Sequence, residues 1–315
     1  MKTPAMLQYV CAALLCWATQ GHRLAAESQL QLEVGNVDWR GGARVGYDVF
    51  DPGEYLQTIY FKVRLTGDPC LFFVTFSTGA QGEGRRQAAF ASDNLEYRIY
   101  DSVNRRTTMK DLPAANANEV IRGAFAPGET VKELTYAIVV PPRQVKLSGR
   151  YTDPLKITVY QGTPENFVEK DSRGVHFSVR VEEVTEMSLI NPGTTFDPKA
   201  KAQKLEFDRL AQGKAKGFDL RVRSNAGYQV LVESENGGVM KSIDPSLPST
   251  IPYFLKVGGT PVNLSGGRKT ALVRNNRLTD HNGDRHEVSV TMGEIGNAIA
   301  GTYRDHLIVT VISDN

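Results

Sequence analysis

The densest group of chemistry-bearing side chains is Asp280-His281-Asn282-Gly283-Asp284-Arg285-His286. Two imidazoles and two carboxylates so close together have the composition of a metal site. The spacing argues otherwise: Asn282-Gly283 is a strong hairpin-turn signal, and a solvated turn flanked by charges accounts for each residue without an ion. Gly79, Gly82 and Gly84 ahead of Arg85-Arg86 have the composition of a phosphate cradle. No helix-periodic segment follows to present N–H groups to an anion, so this reads as a flexible loop. Asp153 and Asp305 share the parity of the apolar residues around them, which suggests paired carboxylates for acid–base work. They fall in different halves of the chain, and capping backbone N–H groups at a strand start is their expected role. Cys70 divides between a nucleophile or intermolecular bridge and a small buried hydrophobe; its place in Cys70-Leu71-Phe72-Phe73-Val74, with no Cys-His signature nearby, favours the second. No G-x-S-x-G, H-E-x-x-H or Walker pattern occurs, so no motif supports an enzyme, and neither metal nor cofactor is expected.

The elements that would position such residues belong to an exported chain. Lys2 precedes an apolar stretch from Met6 to Ala18 broken only by Gln8, the length of a signal-peptide core and short of a bilayer span. Cleavage after Gly21 or Ala26 is possible, and the Leu24-Ala25-Ala26 run favours Ala26. Removing residues 1–26 takes Lys2 and Arg23 and no acid, which reduces 37 basic residues against 35 acidic to an even balance. A neutral chain gives no reason to expect nucleic acid as a partner. Cys11 and Cys16 leave with the signal, so Cys70 has no partner for an intrachain disulfide.

The chain is written twice. Residues 149–159 read GRYTDPLKITV and residues 301–311 read GTYRDHLIVTV, an offset of 152. Upstream, Leu95-Glu96-Tyr97-Arg98-Ile99 faces Ile251-Pro252-Tyr253-Phe254-Leu255, and Phe72 to Phe76 faces Tyr228 to Val232, both at an offset of 156. A repeat this long is a duplicated domain, not a solenoid unit. Apolar residues alternate at period 2 in Leu30, Leu32, Val34; in Phe61, Val63, Leu65; in Val175, Phe177, Val179, Val181; and in Tyr303, Leu307, Val309, Val311, with Asp305 on the same parity. Gly and Pro punctuate at the turn spacing of a sandwich. The expected layout is a signal peptide at 1–26, a first β-sandwich at 27–162, a polar linker at 163–174 and a second β-sandwich at 175–315. On that layout Val175 to Val181 opens the second domain as Leu30 to Val34 opens the first.

Gly149-Arg150-Tyr151-Thr152-Asp153 with its alternating strand, and its twin at Gly301, resemble the C-terminal signature of the spore coat protein U domain. Leu95 to Tyr100 is similar to that family's central strand, and Val45-Gly46-Tyr47-Asp48 to its F-G-x-Y-D turn, for which the second copy has Leu205-Glu206-Phe207-Asp208. The resemblance spans nearly all the mature chain, although the cysteine pair often found in such domains is absent. It implies an all-β protein of two tandem immunoglobulin-like, pilin-type sandwiches, the C-terminal one lacking its last strand. It also implies an archaic chaperone-usher pilus, with a periplasmic chaperone, an outer-membrane usher and an adjacent pilin subunit as partners through donor-strand complementation. The strand at Tyr303, Leu307, Val309 and Val311 would edge the acceptor groove, since little chain follows it to cover that edge.

The resulting expectation is a pilus tip adhesin at the cell surface, exported through the periplasm and attaching to an abiotic or host surface in biofilm formation. Exposed aromatic and aliphatic residues in turn-rich segments of domain one, Tyr47, Phe50, Tyr55, Ile121 and Phe125, are the expected contact. Two alternatives stand beside it. If Leu30 to Val34 is a donor arm, the chain is a structural shaft pilin or spore-coat-like subunit. More remote is a secreted carbohydrate-acting enzyme.

Overall fold

A computed structural model describes residues 27–39, 46–80, 85–101 and 107–314. The expected signal peptide, with both cleavage points, lies outside the described residues, as do Val45, Gly82 and Gly84. All long regular elements in the described residues are β-strands, and no helix there is long and apolar enough to cross a membrane.

The first unit has ten strands: β1 (Gln29–Glu33), β2 (Val37–Trp39), β3 (Tyr55–Thr66), β4 (Leu71–Phe76), β5 (Arg86–Phe90), β6 (Asp93–Asp101), β7 (Ile121–Ala124), β8 (Val131–Val140), β9 (Gly149–Thr163) and β10 (Asn166–Val181). They run in the order β1-β3-β8-β6-β5-β9-β10-β2, with β4 between β7 and the far half of β9. Strand β6 makes the corner, pairing through residues 93–97 with β5 and through 98–101 with β8, so the sheet folds back on itself as a sandwich. Period-2 alternation drives this: in β1, Leu30 and Leu32 point inward while Gln29, Gln31 and Glu33 face out. The core gathers Phe61 and Val63 of β3, Phe72 and Val74 of β4, Ile138 of β8, Ile157 of β9 and Phe177 of β10.

The second unit follows with β11 (Thr185–Ile190), β12 (Ala215–Ser224), β13 (Gly227–Ser234), β14 (Val239–Ser242), β15 (Thr250–Val257), β16 (Thr260–Val262), β17 (Thr270–Asn275), β18 (Asp284–Met292), β19 (Tyr303–Arg304) and β20 (Leu307–Asp314). One sheet runs β11-β12-β18-β15-β14-β19, with β16 on β15; a second of three strands runs β17-β13-β20. Leu220, Val222, Tyr228, Val230, Val232, Leu255 and Val290 form a separate core between them.

The expected linker is strand. Residues 163–174 turn at Glu165 and run into β10, which pairs antiparallel with β9 from Asn166 opposite Thr163 to Val181 opposite Gly149. Val175, Phe177, Val179 and Val181, expected to open domain two, are buried in the core of domain one, where β10 also pairs parallel with β2. Polar composition misled because this hairpin projects past the core: its residues near the turn are exposed and need no apolar side chains. Domain two opens instead with β11, paired with β12 as β1 is with β3. The donor-arm alternative also meets a definite structure, since Leu30 and Leu32 are buried in their own domain.

Because β10 is integral to the first sandwich, Phe177→Ala should destabilise domain one by about 3–5 kcal/mol, the usual cost of truncating a buried phenylalanine. Urea unfolding followed by protease sensitivity of each domain tests this. A β10 that merely links the domains would leave domain one unchanged.

Candidate functional site

The repeat is visible at the level of single hydrogen bonds. In domain one, Tyr97 Oη donates to Asp153 Oδ2 at 2.6 Å and Ala80 N–H donates to Asp153 Oδ1 at 2.8 Å. In domain two, Tyr253 Oη donates to Asp305 Oδ2 at 2.5 Å and Asn236 N–H to Asp305 Oδ1 at 3.0 Å. Tyr151 Oη lies 3.0 Å from both the Leu147 carbonyl and the Asp93 carboxylate. Tyr303 Oη lies 2.5 Å from the Ile299 carbonyl and 2.8 Å from Ser249 Oγ. Every partner matches at the same two offsets as the sequence repeat. Val159 of β9 faces Val74 of β4, and Val311 of β20 faces Val230 of β13. Strand β20 is therefore the second copy of the inner part of β9.

The copies differ on their other edge. Strand β9 is covered there along its whole length by β10, whereas among the described residues β20 pairs only with β13. Burial follows. Leu155, Ile157 and Val159 are buried, while their counterparts Leu307, Val309 and Val311 are half-exposed, and Ile308 and Ile312 are 54% and 42% exposed. The row of Tyr303, Leu307, Val309 and Val311 expected to edge a groove thus lies on an open edge strand or the short strand leading to it. Such an edge presents unpaired N–H and C=O groups beside apolar side chains, which can accept one more strand.

Asp153 is fully buried and Asp305 half-buried. Burial raises the Asp153 carboxyl above the usual range, opposed by the Tyr97 hydroxyl, the Ala80 N–H and the charge of Arg86. The two aspartates sit in different cores and make no acid–base pair; each accepts a backbone N–H, the capping role expected of them. Gly79 is required beside Asp153: at φ +78°, a Cβ there would stand 2.0 Å from Asp153 Oδ2. Arg86 is not free for an anion either. Its Nε and Nη2 donate to the carbonyls of Ser77 and Phe76 at 2.8 and 2.7 Å, while Arg85 reaches Glu96 at 3.2 Å.

The residues expected to contact a surface do not form one patch. Tyr47, Phe50, Ile121 and Phe125 are buried and Tyr55 half-buried, all in the domain-one core. The Tyr47 hydroxyl donates to the Pro141 carbonyl at 2.8 Å, its ring is 5.2 Å from that of Tyr55, and burial pushes its phenol up to about 12. Phe50 faces domain two, 4.9 Å from the Arg223 guanidinium. Phe125 packs 5.1 Å from Phe72, near Cys70, whose carbonyl it meets. Cys70 is half-buried against the same core, and burial raises its thiol, which disfavours the nucleophilic thiolate.

Exposed apolar residues gather at the far end of domain one, where Leu71, Phe167 and Val168 are 56%, 42% and 58% exposed. Phe167 lies edge-on to Phe73 and Tyr160, at 5.8 and 5.2 Å, on the outer face of the sheet. Phe167 falls in the stretch read as a linker, and Leu71 in a run read as core; only the pairing register reveals that both face out. Asn282-Gly283 likewise turns the chain between β17 and β18, which pair with different strands, so it is not a hairpin. There the Tyr228 hydroxyl meets Asp284 at 2.7 Å and His286 at 2.9 Å, using the side chains that composition had suggested for a metal.

No family model matches the chain, and no curated protein does. Solved structures similar to it include the chaperone–tip adhesion subunit complex of archaic chaperone-usher Csu pili of Acinetobacter baumannii, at 14% identity and a TM-score of 0.45, covering 89% of this chain and 99% of that one. The CupB6 tip adhesin of Pseudomonas aeruginosa is similar at 9% identity and a TM-score of 0.43, covering 90% and 95%. CfaE, the adhesive subunit of the CFA/I fimbria of enterotoxigenic Escherichia coli, follows at 12% and 0.33, covering 91% and 82%.

The twin carboxylates give a paired test. Tyr97→Phe should cost domain one about 1.5–3 kcal/mol, the range for a hydrogen bond to a charged group. Tyr253→Phe should cost domain two less, because Asp305 reaches solvent. Urea midpoints of the two variants measure both effects, and equal losses would contradict the difference in burial.

Proposed function

We propose that this chain is an exported two-domain subunit of a chaperone-usher pilus, serving as its tip adhesin in surface attachment and biofilm formation. One observation carries the reading: the same strand, with the same tyrosine and aspartate contacts, is covered by β10 in domain one and open in domain two. A complete first domain is free to bind, and an incomplete second domain must take a strand from elsewhere, first from a periplasmic chaperone at the usher and then from a neighbouring subunit. Leaving the edge bare would invite aggregation.

The binding end follows from the long hairpin. Gly149 and Val181 mark its end near domain two, while Leu71, Phe167 and Val168 cluster at the other, roughly 45 Å away at about 3.3 Å per residue. Leu71 and Phe167 share the outer face of the sheet and Val168 lies on the opposite one, so this end, in place of the buried Tyr47, Phe50, Tyr55, Ile121 and Phe125, is apolar on both sides where an abiotic or host surface would be met.

Coexpression with candidate periplasmic chaperones tests the first half: the chain should copurify with one of them and aggregate faster without it, and a chain that no chaperone binds or protects would overturn the reading. For the second half, changing Leu71, Phe167 and Val168 together to Ser should reduce attachment to hydrophobic surfaces while fibres still assemble. Attachment by the parent should be insensitive to moderate salt. Undiminished attachment by the triple variant would remove this assignment.

A further inference from the structure

The covered edge of β9 records in detail what an added strand does there. Strand β10 lies antiparallel to β9, with Val175 opposite Leu155, Phe177 opposite Asp153 and Val179 opposite Tyr151. Phe177 is the largest of these and wholly buried. Its ring lies 4.4 Å from Tyr97, whose hydroxyl holds Asp153, and 6.5 Å edge-on from Trp39. The aromatic ring thus packs on the tyrosine that holds the buried carboxylate, at the strand position directly opposite it. In domain two the matching carboxylate and phenol are in place, yet among the described residues no strand lies opposite Asp305, which stays half-exposed.

The geometry points to an occupant of defined direction, register and chemistry. The strand that completes domain two runs antiparallel to β20 and places a bulky aromatic side chain opposite Asp305, against Tyr253, with β-branched residues two positions to either side facing Leu307 and Tyr303. Packing on Tyr253 opposite Asp305 is what distinguishes this occupant from any alternating apolar strand, because an aromatic face covers a tyrosine that a smaller side chain leaves wet. The inference rests on the reading of β20 as an acceptor edge and adds which residue the partner must bring.

The test uses the intact chain and a synthetic peptide with the sequence of residues 172–182, the natural cover of β9. A photoreactive phenylalanine at the Phe177 position should label Tyr253 or Asp305. The unlabelled peptide should raise the melting temperature of domain two. Phe177→Ala in the peptide should weaken binding at least tenfold, and His176→Ala, whose side chain faces solvent, less than twofold. A second peptide with Val at the Phe177 position separates the two ideas. If it binds β20 as tightly as the parent peptide, the aromatic requirement is wrong while the acceptor edge stands. If neither peptide labels or stabilises domain two, the acceptor edge and this inference fall together. Labelling of Tyr97 or Asp153, meaning exchange into domain one, also overturns the inference.

Discussion

An edge strand leaves a row of backbone donors and acceptors to be paired, and the pairing of β9 with β10 meets that demand for domain one. It does more than satisfy hydrogen bonds. The same strand carries Val175, Phe177, Val179 and Val181 into the core and brings β2 in on its far side. The first sandwich therefore closes around its last strand. The second repeats the scaffold up to that point, and the half-exposed Leu307, Val309 and Val311 are the direct physical result of an uncovered edge.

The two aspartates explain how an open edge keeps its register. A one-residue slip of a strand sends every side chain to the opposite face. Asp305 resists such a slip by accepting from Tyr253 of β15 and from Ser234 and the Asn236 N–H at the end of β13, two separate segments. Asp153 does the same in domain one at full burial, where the cost of a carboxylate is offset by the Tyr97 hydroxyl, a backbone N–H and nearby Arg86. The conserved geometry of the pair fixes where the strand begins, whether or not its outer edge is covered.

Much of this was legible in the sequence, and the limits have physical causes. The duplication and the all-β architecture follow from a repeated GxYxD segment and from period-2 alternation, which report local structure and internal likeness, while the expectation of an open strand is carried by the family resemblance. Alternation does not say which sheet a strand joins, so Val175 to Val181 read as the start of domain two although it completes domain one. Solvent exposure was misjudged for the same reason. Tyr47 and Phe50 sit in turn-rich segments yet fold under them, while Leu71 and Phe167 sit in strands and face outward, a distinction set by cross-strand register.

The junction between the domains completes the picture, because it shows why the chain is built without a linker. Strand β10 ends at Val181 and β11 begins at Thr185, so the segment between has little slack. Asn225, wholly buried, accepts from the Val184 N–H at 2.7 Å and donates to the Glu182 and Lys146 carbonyls at 2.7 and 3.1 Å, tying β12's end to both sides of the crossing. Arg223 lies against Phe50 of domain one and Phe196 of domain two, at 4.9 and 3.9 Å, and pairs with Glu186 at 2.6 Å. A guanidinium held between two aromatic faces and a carboxylate gains from each and loses little mobility that it had. The last strand of domain one and the first of domain two are thus each anchored along their length by an antiparallel neighbour and clamped where they meet.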